Sequence, residues 1–405
     1  MKGWKEVLLS SYYDISSGLS KPASEFGKGY PFLSFKDVFW NHFAPDELTS
    51  LVNANEKERI SCSVKYGDVF LTRTSEKAEE LGMSCVALKD YPNATFNGFT
   101  KRLRPKIKDE VDPIFMGFYL RSPKFRAEIS AYSNLITRAS LNNAAINKLR
   151  IYIPDYTTQK KIGSILVQYN RLIENNLKRI KLLEESAQRT YEEWFVKFRV
   201  NGVVLTIKEE TGLPEGWERK RLVDLLTLNY GKALKSDERR YGSFPVYGSS
   251  GLIGFHDTFH VKGPGIIVGR KGNVGSVFWC EKNFHPIDTV YYVETDISHY
   301  FLYFNLKKQN FINNDAAVPG LNRNAAYMAD SFLPPNSLLE SFDHVVKPVF
   351  DSVENLQNQN SRLSQSRDVL LPRLMNGTIC PKQVEERFAL AAEPEGKYIK
   401  ARYEK

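Results

Sequence analysis

The sequence repeats itself, and this internal repeat limits the possible folds more than any other feature. Trp4 and Gly18 match Trp217 and Gly231 at one constant offset. A second offset pairs Leu141-Asn142 with Leu321-Asn322, Ile153-Pro154 with Leu333-Pro334, and Ile173–Asn175 with Val353–Asn355. Two different offsets mean that the halves share a beginning and an end but differ in the middle by insertions. The sequence therefore predicts two duplicated modules with divergent centres.

Each half combines short strand-like segments with short helices. Runs of β-branched and aromatic residues, separated by Gly, Pro and Asn, predict the strands. These runs are 69–71, 85–88 and 149–153 in the first half, and 265–268 and 289–293 in the second. Short helices are predicted over 113–120 and 298–306. The predicted fold class is therefore mixed, α/β or α+β, in two similar modules of ordinary domain size.

A long helix with an apolar seam is predicted to follow each module. Apolar residues recur at alternating spacings of three and four from Ile162 to Phe198, and the pattern returns from Phe342 to Leu374. This spacing is the heptad pattern of helices that pack along their whole length. Neither helix can bury so long a seam alone, so we expect the two helices to pack on each other. The alternative is that each packs only on its own module.

Proline and Asn-Gly pairs mark the expected ends of these helices. Pro348 is expected to end or kink the second helix, since proline lacks the backbone donor. Asn201-Gly202 and Asn376-Gly377 are expected to stop the first and second helix. The resulting segments are a first module at 1–155, a central helix at 156–200, a second module at 201–336, a distal helix at 337–380 and a charged tail at 381–405.

Composition favours a soluble, cytoplasmic protein with a polyanionic partner. Lys and Arg outnumber Asp and Glu by 56 to 47, a net charge of +9. This excess favours a nucleic acid but does not identify one. The cysteines, Cys62, Cys85, Cys280 and Cys380, show no metal-ligand spacing, which favours reduced thiols. No apolar run is long enough to cross a membrane, so we expect no membrane contact.

The sequence carries no motif of a catalytic, metal or cofactor site that we can identify. It has no phosphate loop, no His-Glu-x-x-His and no Gly-x-Ser-x-Gly elbow. The segment Gly269–Gly275 is rich in glycine but lacks the dinucleotide-binding spacing. His285–Asp288 has no further ligands nearby, which favours a structural role. We therefore predict a non-catalytic chain with no cofactor and no bound metal.

The Gly-rich segment 265–276 is the best candidate for contact with nucleic acid. Its glycines expose backbone N–H groups, and Arg270 and Lys271 add positive charge. Asn273 can bond to a phosphate or to a base edge. The alternative is that the segment is merely a tight hairpin.

Three further regions join this candidate surface. Tyr247–Gly251 is small and polar, and Arg73–Lys77 and the basic run Lys101–Lys108 are the matching places in the first module. A basic run is equally typical of a solvated surface. The similarity of Arg138–Asn142 to Gly320–Asn324 is equally explained by a structural turn. The predicted DNA contacts are Arg73, Thr74, Ser75, Lys77, Lys101, Arg102, Arg104, Ser249, Ser250, Arg270, Lys271 and Asn273, with Arg270, Lys271, Arg73 and Lys77 foremost.

Taken in order, the motifs of both halves resemble the specificity subunit of type I restriction–modification systems. They are Gly67–Thr74, Thr137–Asn142, Ile153-Pro154 and Gln159–Ile162 in the first half, and Leu213–Trp217, Tyr247–Gly251, Val268–Gly275, Ile287–Thr289, Val318–Arg323 and Leu370–Gly377 in the second. Each motif alone is weak. Their order and the arrangement in two halves make the resemblance specific, and it spans about residues 4–380.

This resemblance implies two target-recognition domains separated by two long helices that pack as an antiparallel coiled coil. Each domain would read one part of a bipartite site in double-stranded DNA, and helix length would set the unread spacer. The helices would dock two methyltransferase subunits and, in the full complex, restriction subunits, which carry the S-adenosylmethionine and ATP chemistry. The predicted partner contacts on the helices are Leu177, Ile180, Tyr191, Trp194, Leu356, Leu363 and Leu370.

Two alternatives from other functional classes stay open at this point. The chain could be a stand-alone enzyme that acts on DNA through an unrecognised site, or a coiled-coil scaffold that binds only protein. The Gly269–Gly275 loop and the basic charge balance argue mildly against the scaffold.

Overall fold

The computed structural model describes residues 3–74, 80–133, 141–311 and 320–392. The chain divides into two compact units, which we call unit 1 (residues 1–174 and 360–405) and unit 2 (residues 175–359). Each unit combines a domain of short strands and helices with a part of both long helices. The mixed helix and sheet fold predicted from the sequence is confirmed.

Unit 1 is built on one four-stranded sheet and two smaller ones. Its strands are β1 Lys5–Leu8, β2 Tyr13–Ser17, β3 Phe26–Leu33, β4 Leu51–Val52, β5 Val69–Thr72, β6 Ser84–Val86, β7 Thr95–Phe96, β8 Thr100–Pro105 and β9 Arg150–Ile153. Its short helices are α1 Leu9–Tyr12, α2 Phe35–Trp40, α3 Glu56–Ser61, α4 Pro113–Tyr119, α5 Pro123–Ser133 and α6 Asn143–Ile146. The sheets have the orders β2-β8-β5-β6, β4-β3-β7 and β1-β9.

The long helices and unit 2 complete the chain. The helices are α7 Tyr156–Tyr191, α8 His299–Lys308, α9 Arg323–Tyr327, α10 Asn336–Met375 and α11 Pro381–Ala392, and a π-helical turn covers Glu192–Val196. The strands are β10 Arg199–Val200, β11 Val203–Val204, β12 Ile207–Lys208, β13 Leu213–Pro214, β14 Glu218–Arg221, β15 Thr227–Tyr230, β16 Phe244–Gly248, β17 Gly251–His256, β18 Gly265–Gly269, β19 Val277–Cys280, β20 His285–Pro286, β21 Val290–Glu294 and β22 Asp330–Leu333.

The internal repeat extends to sheet topology. In unit 2 the order β15-β21-β18-β19 repeats β2-β8-β5-β6, β17-β16-β20 repeats β4-β3-β7, and β14-β22 repeats β1-β9. A parallel pair of strands also recurs, since β3 runs parallel to β7 and β16 runs parallel to β20. The two domains therefore share one fold, as the matching ends of the two sequence halves predict.

A glycine is required at the same point of each domain, directly after β2 and after β15. A Cβ on Gly18 would lie 2.2 Å from the carbonyl oxygen of Asn97, and one on Gly231 would lie 2.1 Å from that of Ile287. Such distances are far below van der Waals contact, so no larger residue fits without backbone movement. This close approach explains why the two glycines match in the sequence repeat.

The long helices pack on each other within both units. In unit 2, Asn176 of α7 donates to Gln359 of α10 at 3.4 Å, while the rings of Tyr191 and Phe342 lie 6.3 Å apart. Because a higher residue number on α7 meets a lower one on α10, the helices run antiparallel. In unit 1, Arg367 of α10 donates to Asn170 of α7 at 2.8 Å. The helices also bury residues against their own domains, so the two predicted modes of packing occur together.

The structure contradicts two predicted helix ends and confirms one. Pro348 lies inside α10 and does not end it, since the helix runs from Asn336 to Met375. Asn201-Gly202 does not stop α7 but forms the turn between β10 and β11, with φ of 51° and 85°. These two positive φ values are those of a two-residue hairpin turn. Asn376-Gly377 does follow the last residue of α10.

Candidate nucleic-acid interface

The predicted Gly-rich segment includes the hairpin loop 270–276 between β18 and β19. Two neighbouring segments hold this loop in place by hydrogen bonds. The N–H groups of Arg270 and Lys271 donate to the carbonyl oxygen of Thr289 at 2.9 and 3.1 Å, and the N–H of Leu321 donates to that of Arg270 at 2.7 Å. The loop is therefore a fixed part of unit 2, as well as a hairpin.

The turn between β16 and β17 lies beside this loop. The Ser276 hydroxyl donates to the carbonyl oxygen of Ser249 at 2.8 Å. The structure thus brings Ser249 together with Arg270, Lys271 and Asn273. In the sequence, β17 and β18 separate Ser249 from the other three residues. Ser250, Lys271 and Asn273 are exposed, while Ser249 and Arg270 are partly exposed. These five predicted contacts form one polar, positively charged surface.

Two arginines of this surface stack on one tyrosine. The guanidinium carbons of Arg270 and Arg323 each lie 5.1 Å from the centroid of the Tyr230 ring, which is 50% exposed. Neither arginine has an acidic partner within 4 Å among the described residues, and the Nε atom of each is buried without a hydrogen-bond partner there. Two neighbouring cations without a counter-charge favour an anionic ligand.

Tyr291 lies next to this arginine pair, with its ring in contact with Tyr230 and Arg270. It is buried, and its hydroxyl donates to the carbonyl oxygen of Leu321 at 3.0 Å. Burial, followed by a hydrogen bond with Tyr230, raises the pKa of Tyr291 to about 12, although Arg270 acts in the opposite direction. The phenol therefore stays protonated at neutral pH and keeps its hydrogen bond. Sequence reasoning did not select Tyr230 or Arg323, because only the fold brings them to Arg270.

Arg73 occupies the corresponding position in unit 1. Its N–H donates to the carbonyl oxygen of Phe99 at 2.9 Å, and its own carbonyl accepts from the N–H of Leu141 at 2.8 Å. Arg73 and Thr74 are partly exposed. The other two predicted contacts of this segment, Ser75 and Lys77, lie outside the described residues, as does Arg138–Ser140.

The three residues of the basic run that were predicted as DNA contacts do not form a DNA-facing surface. Lys101 and Arg102 are 7% and 8% exposed, because they lie on β8, a central strand of its sheet with both faces covered. Arg102 donates to the carbonyl oxygen of Ser63 at 2.6 Å. Arg104 donates two hydrogen bonds, of 2.7 and 2.6 Å, to the carboxylate of the fully buried Asp68. These three side chains therefore belong neither to a solvated surface nor to a DNA-contacting one. They form hydrogen bonds within their own domain.

The predicted partner contacts on the helices are mostly inside the protein. Ile180, Tyr191, Trp194 and Leu356 are 8% exposed or less, and Leu363 and Leu370 pack against the unit 1 core. The four buried residues are therefore not available to another subunit, while Leu363 and Leu370 are partly exposed. Leu177 is different, because 54% of it is exposed. Leu172 and Leu182, also on α7, are similarly exposed.

The same described ranges also bear on metal binding, thiol chemistry and membrane insertion. No group of three or more His, Cys, Asp or Glu residues there is arranged to hold a metal ion. Burial raises the pKa of the Cys85 thiol to about 12 and that of Cys280 to about 11, which makes both poor nucleophiles. No helix in the described part of the chain has both the length and the apolar character needed to cross a membrane.

The comparisons with known proteins all give the same family. The family described as "Type I restriction modification DNA specificity domain" matches residues 1–185 and 214–324. The type I restriction enzyme MjaIX specificity subunit of Methanocaldococcus jannaschii is 24% identical over 376 residues, which cover 82% of either chain. The HindI specificity subunit of Haemophilus influenzae is 23% identical, with 94% of this chain and 100% of that protein covered.

A solved structure shares the fold. The S subunit of a type I restriction–modification system from M. genitalium superposes with a TM-score of 0.58 at 16% sequence identity. The match covers 92% of this chain and 96% of that one.

Proposed function

Because this chain belongs to the type I restriction modification DNA specificity family, we propose that it is the non-catalytic DNA-recognition subunit of such a system. Its own domains select the DNA sequence, and partner subunits carry out the chemistry. One observation supports this most directly: two domains of the same topology present an arginine, Arg73 or Arg270, at the same point of the sheet. DNA with two separate target segments suits such a duplicated reader.

We further propose that each domain reads one part of a bipartite site. The target-recognition domains comprise residues 1–155 and 201–336. Arginine and lysine side chains engage phosphates and supply affinity, while Ser, Thr and Asn side chains near Arg73 and Arg270 contact base edges. Identical backbones with different exposed side chains are what two different half-sites require, and the length of the helices sets the unread spacer.

The partner subunits in this proposal are two methyltransferase subunits and, in the full complex, restriction subunits. The long helices are the docking elements, because their exposed apolar side chains have no use inside the chain. Leu177 and Leu182 of α7 are 54% and 65% exposed. A partner subunit that packs on α7 would cover these two leucines.

A gel-shift assay at fixed salt tests the DNA-recognition role. Arg270→Ala is expected to weaken binding of the full-length chain to a cognate duplex by about tenfold, since one charge-assisted contact is lost. Arg199→Ala is the matched control, because Arg199 is an exposed arginine of unit 2 that already pairs with Glu193. Unchanged affinity of Arg270→Ala at every salt concentration would remove this arginine from the DNA surface.

Mapping methylated bases tests the bipartite reading. DNA from a host that carries this protein and its methyltransferase is expected to be methylated within a motif of two defined parts, separated by unread bases. A single continuous motif would contradict the proposal of one half-site per domain.

Two simple assays separate the alternative functions. Cleavage of duplex DNA by the purified chain with Mg²⁺ alone would favour the stand-alone enzyme. Failure to bind any duplex, even with methyltransferase subunits present, would favour the protein-only scaffold.

A further inference from the structure

The repeat extends to individual side chains next to the shared arginine. Ser17 faces Lys101 across β2 and β8, and Leu71 faces Lys101 from the other side. In unit 2, Tyr230 faces Tyr291 across β15 and β21, and Val268 takes the place of Leu71. The registers are the same, so Ser17 corresponds to Tyr230, and Lys101 corresponds to Tyr291.

A third pair of equivalent positions lies at the start of a short helix. Asn142 caps α6 and Asn322 caps α9, in both cases through side-chain hydrogen bonds to the first turn. The preceding leucine donates its N–H to the carbonyl oxygen of Arg73 or Arg270. The first helical residues, Asn143 and Arg323, therefore occupy the same position in the two domains.

In each unit these three positions meet. The Lys101 ammonium donates to the Ser17 hydroxyl and to the Asn143 side-chain oxygen, both at 2.8 Å. In unit 2 the Arg323 guanidinium stacks on Tyr230, whose ring centroid lies 5.1 Å from that of Tyr291.

The three positions also share one pattern of burial. The middle residue is buried, with Lys101 7% and Tyr291 2% exposed. The outer residues reach solvent: Ser17 and Asn143 are exposed, Tyr230 is half-exposed and Arg323 is partly exposed. Both clusters adjoin the shared arginine: the charge of Arg73 contributes to lowering the pKa of Lys101, after the larger effect of burial, and Arg270 stacks on Tyr230. The same three structural positions thus hold chemically different side chains in the two domains.

We propose that these three positions, the variable triad (Ser17, Lys101 and Asn143 in unit 1; Tyr230, Tyr291 and Arg323 in unit 2), determine which base each domain prefers. The inference rests on the proposed function and goes beyond it by naming the specificity-determining residues. One outer residue, Asn143 or Arg323, contacts the base, and the other two residues of each triad position it. Arg73 and Arg270, which do not differ between the domains, make the contact that is independent of sequence.

The chemistry of the outer residues indicates the bases. Arg323 presents a planar fork of donors, which matches the O6 and N7 acceptors of guanine in the major groove. Asn143 presents an amide, the side chain that pairs with adenine at N6 and N7. Lys101 occupies one lone pair of the Asn143 oxygen and so fixes the direction in which its NH₂ group points. Unit 2 is therefore expected to prefer guanine where unit 1 prefers adenine.

Selection from a pool of duplexes with a randomised central segment tests this assignment, with the full-length chain as bait. Arg323→Asn is expected to remove a guanine preference of about tenfold at one position of one half-site and to leave the other half-site unchanged. Asn143→Arg should change only the other half-site. Arg199→Asn is the control and should select the wild-type motif.

A conservative variant guards against loss of folding. Arg323→Lys keeps the charge but loses the fork, so it should bind the pool with nearly wild-type affinity and discriminate guanine less well. If Arg323→Asn and Arg323→Lys both select the wild-type motif, or weaken binding equally for all sequences, the variable triad does not read bases. A wild-type chain that selects no motif at all would instead refute the proposed function, and this inference with it.

Discussion

The two domains use the same backbone to hold different chemistry, and the contrast is sharpest in the central strands. In unit 1, Asp68 and Arg104 form a buried ion pair between the start of β5 and β8. The same register positions in unit 2 are Gly265 and Glu294, and a Cβ on Gly265 would collide with the ring of Phe284. A charge pair in one domain is thus replaced by an aromatic contact in the other. The strand order survives because backbone hydrogen bonds and a few glycines specify it.

The largest loss of stability is expected at the glycine that both domains require. Gly18→Ala and Gly231→Ala each force a Cβ against a carbonyl oxygen at 2.2 and 2.1 Å. We expect each to lower the free energy of unfolding of its own domain by about 4 kcal/mol or more, since backbone must move. Thermal denaturation checks this. Thr206→Ala, an exposed site, is the control, and a mild effect at either glycine would show that the shared turn is not essential.

The next-largest destabilisation is expected in one domain and not in the other. Asp68→Ala leaves the half-buried Arg104 without its carboxylate partner. Breaking a buried pair in this way destabilises by about 3 kcal/mol. Hydrogen exchange measured by mass spectrometry should therefore accelerate in β5 and β8 and stay unchanged in β18 and β21. Equal acceleration in both domains would mean that they unfold as one unit, and that the ion pair is not a local feature of unit 1.

Much of this architecture could be predicted from the sequence because it depends on short-range signals. The repeat, the two long helices and the match of Arg73 with Arg270 are all visible as spacing. The helix at Tyr156 begins where Asp155 accepts hydrogen bonds from Thr158, a local cap that the residue types indicate. Such features need no knowledge of which strands are neighbours.

The candidate site depends on strand neighbours, which spacing does not reveal. Lys101, Arg102 and Arg104 were predicted to face DNA because a run of charge is normally exposed. They point into the domain because β8 lies between β2 and β5, a fact of topology. Tyr230 and Arg323 meet for the same reason, through β21 and the segment bonded to Arg270. Positions of this kind become visible only when the pairing register is known.

The two shared arginines should contribute equally to DNA affinity. Arg73→Ala and Arg270→Ala are each expected to weaken binding about tenfold, and the double variant about a hundredfold, because the two arginines belong to different units. Each should also reduce the slope of log K against log salt by about one. Gel shifts across a salt series measure both quantities. Arg150→Ala and Arg199→Ala, two ion-paired surface arginines, are the controls.

A result confined to one domain would break this symmetry. If only Arg270→Ala weakened binding, the equivalent backbone position of Arg73 would not imply an equivalent role. Unit 1 would then have to contact DNA through other residues, such as the 61% exposed Phe99 beside Arg73.

The smallest expected effect comes from the hydroxyl groups of the variable triad. Tyr230→Phe keeps the ring on which Arg270 and Arg323 stack and removes only the hydroxyl group of a residue that faces Tyr291 across β15 and β21. Ser17→Ala likewise removes only the bond from Lys101. A single hydrogen bond contributes about 1 kcal/mol, so each variant should change affinity for its preferred duplex by about fivefold or less. Tyr230→Ser, which installs the residue of unit 1, should cost more because both arginines lose their aromatic support. If Tyr230→Phe were as damaging as Tyr230→Ser, the phenol itself would contact DNA, and the ring would be more than a platform.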